Sequence, residues 1–239
     1  MFADIASANI VGYAQNNDAS VSQNNFLSVA FATVGCNTCD IQQIQLTDPS
    51  GELDLGQGGE IFSIWEGVPS VVEGSEYLYW APEYGDGEHY FWGDDGGEEV
   101  AYSFAAGQSV TIDMPAGIVI QTAGEVLAKK VTLDTIAQNN FIGNPFPAEI
   151  SIQNIQIEDP DGVADLGQGG EIFSVWEGVP SVVEGSEYLY WAPEYGDGEH
   201  YFWGDDGGEE ISYSIPAGKG FVIDCAAGLK VNITPSYSL

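Results

Sequence analysis

Apolar and polar residues alternate with a period of two through most of this chain, and no segment of useful length carries a helical period. Ile61, Ser63 and Trp65 fall on one side of an extended segment, Phe62 and Ile64 on the other. Val100, Tyr102 and Phe104 alternate with Ala101 and Ser103; Val110, Ile112 and Met114 alternate with Thr111 and Asp113. Glycine clusters at Gly56–Gly59, Gly85–Gly87, Gly96–Gly97, Gly107 and Gly117 punctuate these runs. Short strands at intervals of about 8–12 residues, separated by turn signals, predict an antiparallel sandwich or barrel. The class expected is all-β.

The pattern occurs twice. Asp54–Glu99 returns at Asp165–Glu210 with one change, Ile64 to Val175, an offset of 111 residues. Ile41–Gly56 matches Ile152–Gly167 at the same offset, and Ala101–Ile120 matches Ser212–Val231. Upstream, Val21–Phe31 matches Ile136–Phe146 at an offset of 115, so the first copy holds four extra residues around Cys36 and Cys39. An internal duplication is expected to give two tandem, jelly-roll-like sandwich domains over residues 9–123 and 124–239, behind an arm of residues 1–8. Each domain is expected to open on a short apolar strand, Ile10–Val11 and Val126–Leu127.

Composition adds one large fact. The formal charge is −33, from 37 acids against four lysines, with no arginine. Such a field repels phosphate backbones and anionic lipid, which argues against nucleic-acid and membrane-surface partners. No apolar run reaches the roughly 18 residues of a membrane-spanning helix, so no membrane insertion is expected. The start, Met1–Tyr13, lacks a basic n-region and a long apolar core, and reads as lying near a mature N-terminus.

Two carboxylates about 6 Å apart repel by about 0.7 kcal/mol in water and about fourfold more at an effective dielectric of 20. The acids must therefore be solvated or bridged. Within the duplicated block, Glu83, Asp86, Glu88, Asp94, Asp95, Glu98 and Glu99 recur as Glu194, Asp197, Glu199, Asp205, Asp206, Glu209 and Glu210. Carboxylates set among glycines can supply the 6–8 oxygens that Ca²⁺ takes, so calcium is the candidate cofactor, with Asp86, Glu88, Asp94, Asp95, Asp197, Glu199, Asp205 and Asp206 as its ligands. The alternative is a wet acidic loop, and the EF-hand spacing is absent.

The block's aromatics allow three readings. Trp65, Tyr79, Trp80 and Trp92, with their copies Trp176, Tyr190, Trp191 and Trp203, could fill the core, form a flat platform for glycan rings, or make a subunit interface. Strand alternation sends Tyr77 and Tyr79 to one face and Leu78 and Trp80 to the other. Cys36-Asn-Thr-Cys39 has no second CxxC and no His pair, so a zinc site is not indicated. A local Cys36–Cys39 disulfide is expected, with two free thiols as the alternative; Cys225 stands where the first copy has Met114 and reads as a core residue. No GxSxG, P-loop or dinucleotide motif is present, and no catalytic residue is assigned.

Four segments resemble a module of secreted and surface proteins of bacteria. They are Ser7-Ala8-Asn9-Ile10-Val11-Gly12-Tyr13 at the start, Asn-Phe-Ile-Gly-Asn-Pro-Phe over Asn140–Phe146, Ser-Val-Trp-Glu-Gly over Ser174–Gly178, and the Ile215–Ile223 hairpin. The resemblance spans most of both copies, although the first has no Pro-Phe pair at its opening strand. It implies a secreted β-sandwich with a surface or filament role and brings no catalytic residues. The function expected is a non-enzymatic structural subunit of an extracellular filament or surface layer, with other copies of itself as partners. Strand addition through Ile5, Ile10, Val11 and Tyr13 onto a neighbour's sheet edge would give head-to-tail growth. The alternative is a bivalent glycan-binding or adhesive module, possible with Ca²⁺ assistance.

Overall fold

The alternation builds strands in both halves, and the computed structural model describes residues 11–16, 23–85, 87–178, 181–196 and 198–238. In the first repeat these are β1 (Val11–Asn16), β2 (Gln23–Ser28), β3 (Thr38–Asp40), β4 (Ile44–Thr47), β5 (Gln57–Ser63), β6 (Tyr77–Trp80), β7 (Phe91–Gly93), β8 (Ser103–Ala105), β9 (Ser109–Met114) and β10 (Val119–Glu125). The second repeat gives β11 (Val131–Asp134), β12 (Gln138–Gly143), β13 (Ile150–Ser151), β14 (Ile155–Glu158), β15 (Gln168–Trp176), β16 (Val182–Trp191), β17 (Phe202–Gly204), β18 (Ser214–Ile215), β19 (Gly220–Cys225) and β20 (Lys230–Ile233). Every strand of the first repeat thus has its counterpart ten places on.

The sheets repeat too. A three-stranded sheet β1-β10-β4 and a five-stranded sheet β2-β9-β5-β6-β7 recur as β11-β20-β14 and β12-β19-β15-β16-β17, with the short pairs β3-β8 and β13-β18 beside them. All pairings are antiparallel. The chain is all-β, of the sandwich type. Each repeat has its own core: Phe62, Tyr79, Trp92 and Ile112 in one, Phe173, Tyr190, Trp203 and Ile223 in the other.

Strand β9 shows how the pattern is used. Val110, Ile112 and Met114 enter the core of their own repeat, while Ser109 and Thr111 are buried on the opposite side, facing the other repeat. In β19, Phe221, Ile223 and Cys225 do the first job, and Gly220 and Val222 the second. A strand covered on both faces explains why these runs are so apolar.

Two expectations are corrected here. The second repeat does not open on Val126–Leu127; its first strand is β11, starting at Val131 opposite Ile233. Pro235, which has no N–H to give, stands two residues after the last paired residue of β20 and blocks the longer ladder that β1 makes with β10. Cys36 and Cys39 are free thiols, not a disulfide. Cys39 points inward from β3 and donates its S–H to the Phe31 carbonyl at 3.3 Å, while Cys36 is exposed at a turn. Cys225 is buried, as its correspondence to Met114 requires.

Candidate functional site

Four aromatics of the duplicated block and its copy are core. Tyr79 and Trp92, like Tyr190 and Trp203, are 0% exposed, which corrects their candidacy as a binding or interface surface. Their polar atoms tie the two sheets together. Tyr79 Oη accepts from Leu46 N at 3.1 Å and donates to Gln45 Oε1 at 2.9 Å; Trp92 Nε1 donates to the Ile44 carbonyl at 2.7 Å. The second repeat copies this with Tyr190 on Ile157 and Gln156, and Trp203 on Ile155. Burial pushes the Tyr79 phenol up to about 12.

Trp80 and Trp191 are half-buried. Each indole N–H donates to a backbone carbonyl at 2.9 Å, Asp94 for Trp80 and Asp205 for Trp191. Gly58, at φ +76°, lies so close over the Trp80 ring that a Cβ there would sit 2.9 Å from it. These rings are therefore held by the turn beneath them. The rings left open beside them are Tyr84 (47% exposed) and Tyr90 (42%), matched by Tyr195 and Tyr201. Tyr90 stacks on Tyr79 at 5.7 Å.

Around these rings the acids are spent on loop geometry. Asp94 Oδ1 accepts from Gly96 N and Glu98 N, both at 2.9 Å, and Asp205 does the same for Gly207 and Glu209. His89 Nε2 lies 3.6 Å from Glu99 Oε2, and His200 lies 3.8 Å from Glu210. Asp95, Glu88, Asp206 and Glu199 are exposed; Asp86 and Asp197 lie outside the described residues. Among the described residues no group of three or more His, Cys, Asp or Glu is placed to hold a metal ion. Among the described residues, the calcium ligand set expected from the sequence is not brought together. Two carboxylates that the sequence did not single out are buried: Glu60 Oε2 accepts from Gly56 N at 3.0 Å, and Glu171 from Gly167 N at 3.1 Å. Removal from water raises both above the usual carboxylate range.

Trp65 and Trp176 form the contact between the repeats. Phe26 of β2 stacks on Phe141 of β12 with centroids 5.7 Å apart and planes 15° apart. Trp65 lies 6.0 Å from each of these rings, and Trp176 lies 6.2 Å from Phe26 and 5.7 Å from Phe141. Phe26 corresponds to Phe141 and Trp65 to Trp176, so the four rings are related by a pseudo-two-fold axis. The backbone follows the same symmetry. Ser28 N donates to Gly218 O and Gly143 N to Gly107 O, each at 2.9 Å, and the bridges Leu27–Lys219 and Gln108–Ile142 are likewise mates. Stacked and edge-on aromatic contacts of this kind add about 0.5–1.5 kcal/mol per pair beyond area burial. Neither phenylalanine was a sequence candidate; their recurrence in Gln-Asn-Asn-Phe at the 115-residue offset was the available signal.

The N-terminal candidates divide. Val11 and Tyr13 are in β1, paired with Glu125 and Ala123 of β10 in the same chain, whereas Ile5 and Ile10 lie outside the described residues. A cleft of about 880 Å³ runs beneath the connection between the repeats, lined by Cys36, Ala106, Leu127, Lys129, Lys130 and Leu133 among others. Among the described residues, no helix is long and apolar enough to cross a membrane. Compared with family models, curated proteins and solved structures, the chain matches none.

Proposed function

We propose that this chain is a structural subunit of an extracellular filament or surface layer, with further copies of itself as partners. The observation that carries the reading is the pairing of two sandwiches about a pseudo-two-fold axis, with β6 and β7 of the duplicated block, and β16 and β17 of its copy, at the ends of the sheets away from that contact. One chain thereby presents the same surface twice, and a unit with two like ends can link two neighbours without closing. The strands at the margins support growth by strand addition: β1 and β11 are edge strands, and an edge offers unpaired N–H and C=O groups. Since Val11–Asn16 already pairs with β10, the donor segment this mechanism needs is residues 1–10.

Negative-stain microscopy of the full chain and of a variant lacking residues 1–10 tests the proposal. The deletion leaves β1 whole, so Phe31 stays covered where Gly12 makes room for it. The expected result is filaments from the full chain and single particles from the shortened one. Filaments from both would end the strand-addition mechanism; single particles from both under every salt and cation condition would end the proposal.

A second reading, a bivalent glycan-binding module, is favoured by Tyr84 and Tyr90 and their copies, exposed rings set among carboxylates in each repeat. Glycan-array binding lost in Tyr84→Ala/Tyr195→Ala would support it. The variant must be made at these tyrosines, because Trp80 and Trp191 also hold the turns.

A further inference from the structure

The two repeats are nearly identical in their outer block, yet where they face each other they differ at matched positions. We propose that these differences form a pairing code that seats repeat 1 only on repeat 2, and that the repeat-2 face of a second copy of this chain can be the partner. The trans pairing rests on the reading of the chain as a self-associating subunit. The code itself rests on the contact seen within one chain.

Ser28 of the first repeat corresponds to Gly143 of the second, and Ser109 to Gly220. The pseudo-two-fold places each serine against the other repeat's glycine. A Cβ added at Gly143 would lie 2.5 Å from Ser28 Cβ, and one added at Gly220 would lie 2.3 Å from Ser109 Oγ. Gly220 is also held 2.8–2.9 Å from the Phe26–Leu27 backbone by the same measure, so the strands cannot move apart locally without breaking the Ser28–Gly218 hydrogen bond beside them. Two first-repeat faces would set serine against serine at both places and collide. Two second-repeat faces would set glycine against glycine and leave voids. Only unlike faces fit.

A third difference lies within each repeat, beside the contact. Trp65 Nε1 donates to Thr111 Oγ1 at 2.8 Å, but the second repeat has Val222 in place of Thr111, and Trp176 donates instead to its own Ser174 Oγ at 2.9 Å. Ser28 Oγ is itself buried without a hydrogen-bond partner among the described residues. A hydroxyl that gains nothing inside the closed pair still bars the wrong pair, which is how specificity is built against a competitor.

The partner face can come from another chain because the connection, anchored on both cores by Leu127, is exposed over the three residues that follow. Residues 126–130 join β10 to β11, Ala128, Lys129 and Lys130 are exposed, and the segment lines the 880 Å³ cleft instead of filling it. Exchange of like elements between copies is a low-cost route to assembly. Because the code joins unlike faces, exchange runs head to tail.

Two variants of the full chain test this. Gly143→Ser/Gly220→Ser carries serine on both faces; Ser28→Gly/Ser109→Gly carries glycine on both. The first, alone, is expected to open, with its tryptophan emission shifted to the red as Trp65 and Trp176 meet water. Mixed one to one with the second, it is expected to give a complex of about twice the 25.5 kDa chain mass by light scattering. A far-UV circular dichroism spectrum of the serine variant that matches the original guards against misfolding of its strands. A serine variant as closed as the original overturns the code. An opened serine variant that forms no complex with the glycine variant overturns the partner. Filaments seen without that complex would leave the proposed function standing and end this inference.

Discussion

Tyr79→Phe removes one oxygen from a site with no solvent. The ring stays in place, wedged against Trp92 at 4.9 Å, so the loss is confined to two hydrogen bonds. The Leu46 N–H, buried in β4, is left without its 3.1 Å acceptor, and an orphaned buried donor costs about 1–3 kcal/mol. Gln45 Oε1 loses its 2.9 Å donor but is half-exposed and can take water, so its share is small. The sum is about 2 kcal/mol. Tyr190→Phe meets the same geometry, with the Ile157 N–H at 3.1 Å and Gln156 Oε1 at 2.7 Å, and is expected to cost the same within about 0.5 kcal/mol. Urea unfolding followed by far-UV circular dichroism reads both values. A cost below about 0.5 kcal/mol for either variant, or a twofold disparity between them, would refute the claim that the two sites are physically equivalent and that the phenol is structural.

Ser28→Ala removes the unpartnered buried hydroxyl and keeps the Cβ; it is expected to stabilise the chain by about 1 kcal/mol, read from the urea midpoint, and a loss of stability would contradict the burial argument. A thiol reagent should modify Cys36 alone in the native state and all three cysteines in denaturant, since burial pushes both Cys39 and Cys225 up to about 12; a native protein that reacts at Cys36 only after reduction would restore the disulfide. Glu60 and Glu171 have folded-state values raised above 4.5, so the folded chain holds protons that the unfolded chain has released in the window above that value. Their contribution to stability is whole below pH 4.5 and is lost as pH rises through the folded values. Glu60→Gln/Glu171→Gln should flatten that part of the profile, and an unchanged difference between pH 4 and pH 7 would count against it.

Much of this architecture is legible in the residues. Alternation through Val110–Met114 and Tyr77–Trp80 announces strands and separates Tyr79 from Trp80 without saying which face is inner, and the 111-residue offset announces that the sheet order is written twice. What alternation does not tell is which side of a strand meets which neighbour. Ser63 and Trp65 were separable from Phe62 and Ile64 by parity, yet both sides are covered, one by the core and one by the other repeat. Period-two patterning carries no label for that difference, so the contact made by Phe26, Phe141, Trp65 and Trp176 had to come from the structure. The start of the second repeat was misplaced for a related reason: Val126–Leu127 and Val131–Leu133 are equally apolar, and the choice is made by Pro235, a hundred residues away, which ends the partner ladder. The CxxC spacing permits a bridge but cannot say that Cys39 faces inward.

The contact between repeats is most directly tested by nuclear Overhauser effects among aromatic rings in a sample protonated only at phenylalanine and tryptophan. The account predicts a cross-peak between Phe26 and Phe141, whose centroids are 5.7 Å apart, as clear as that between Phe62 and Trp92 at 5.9 Å within one core. The Phe62–Trp92 peak present with the Phe26–Phe141 peak missing would mean two sandwiches that do not meet, and would contradict the account.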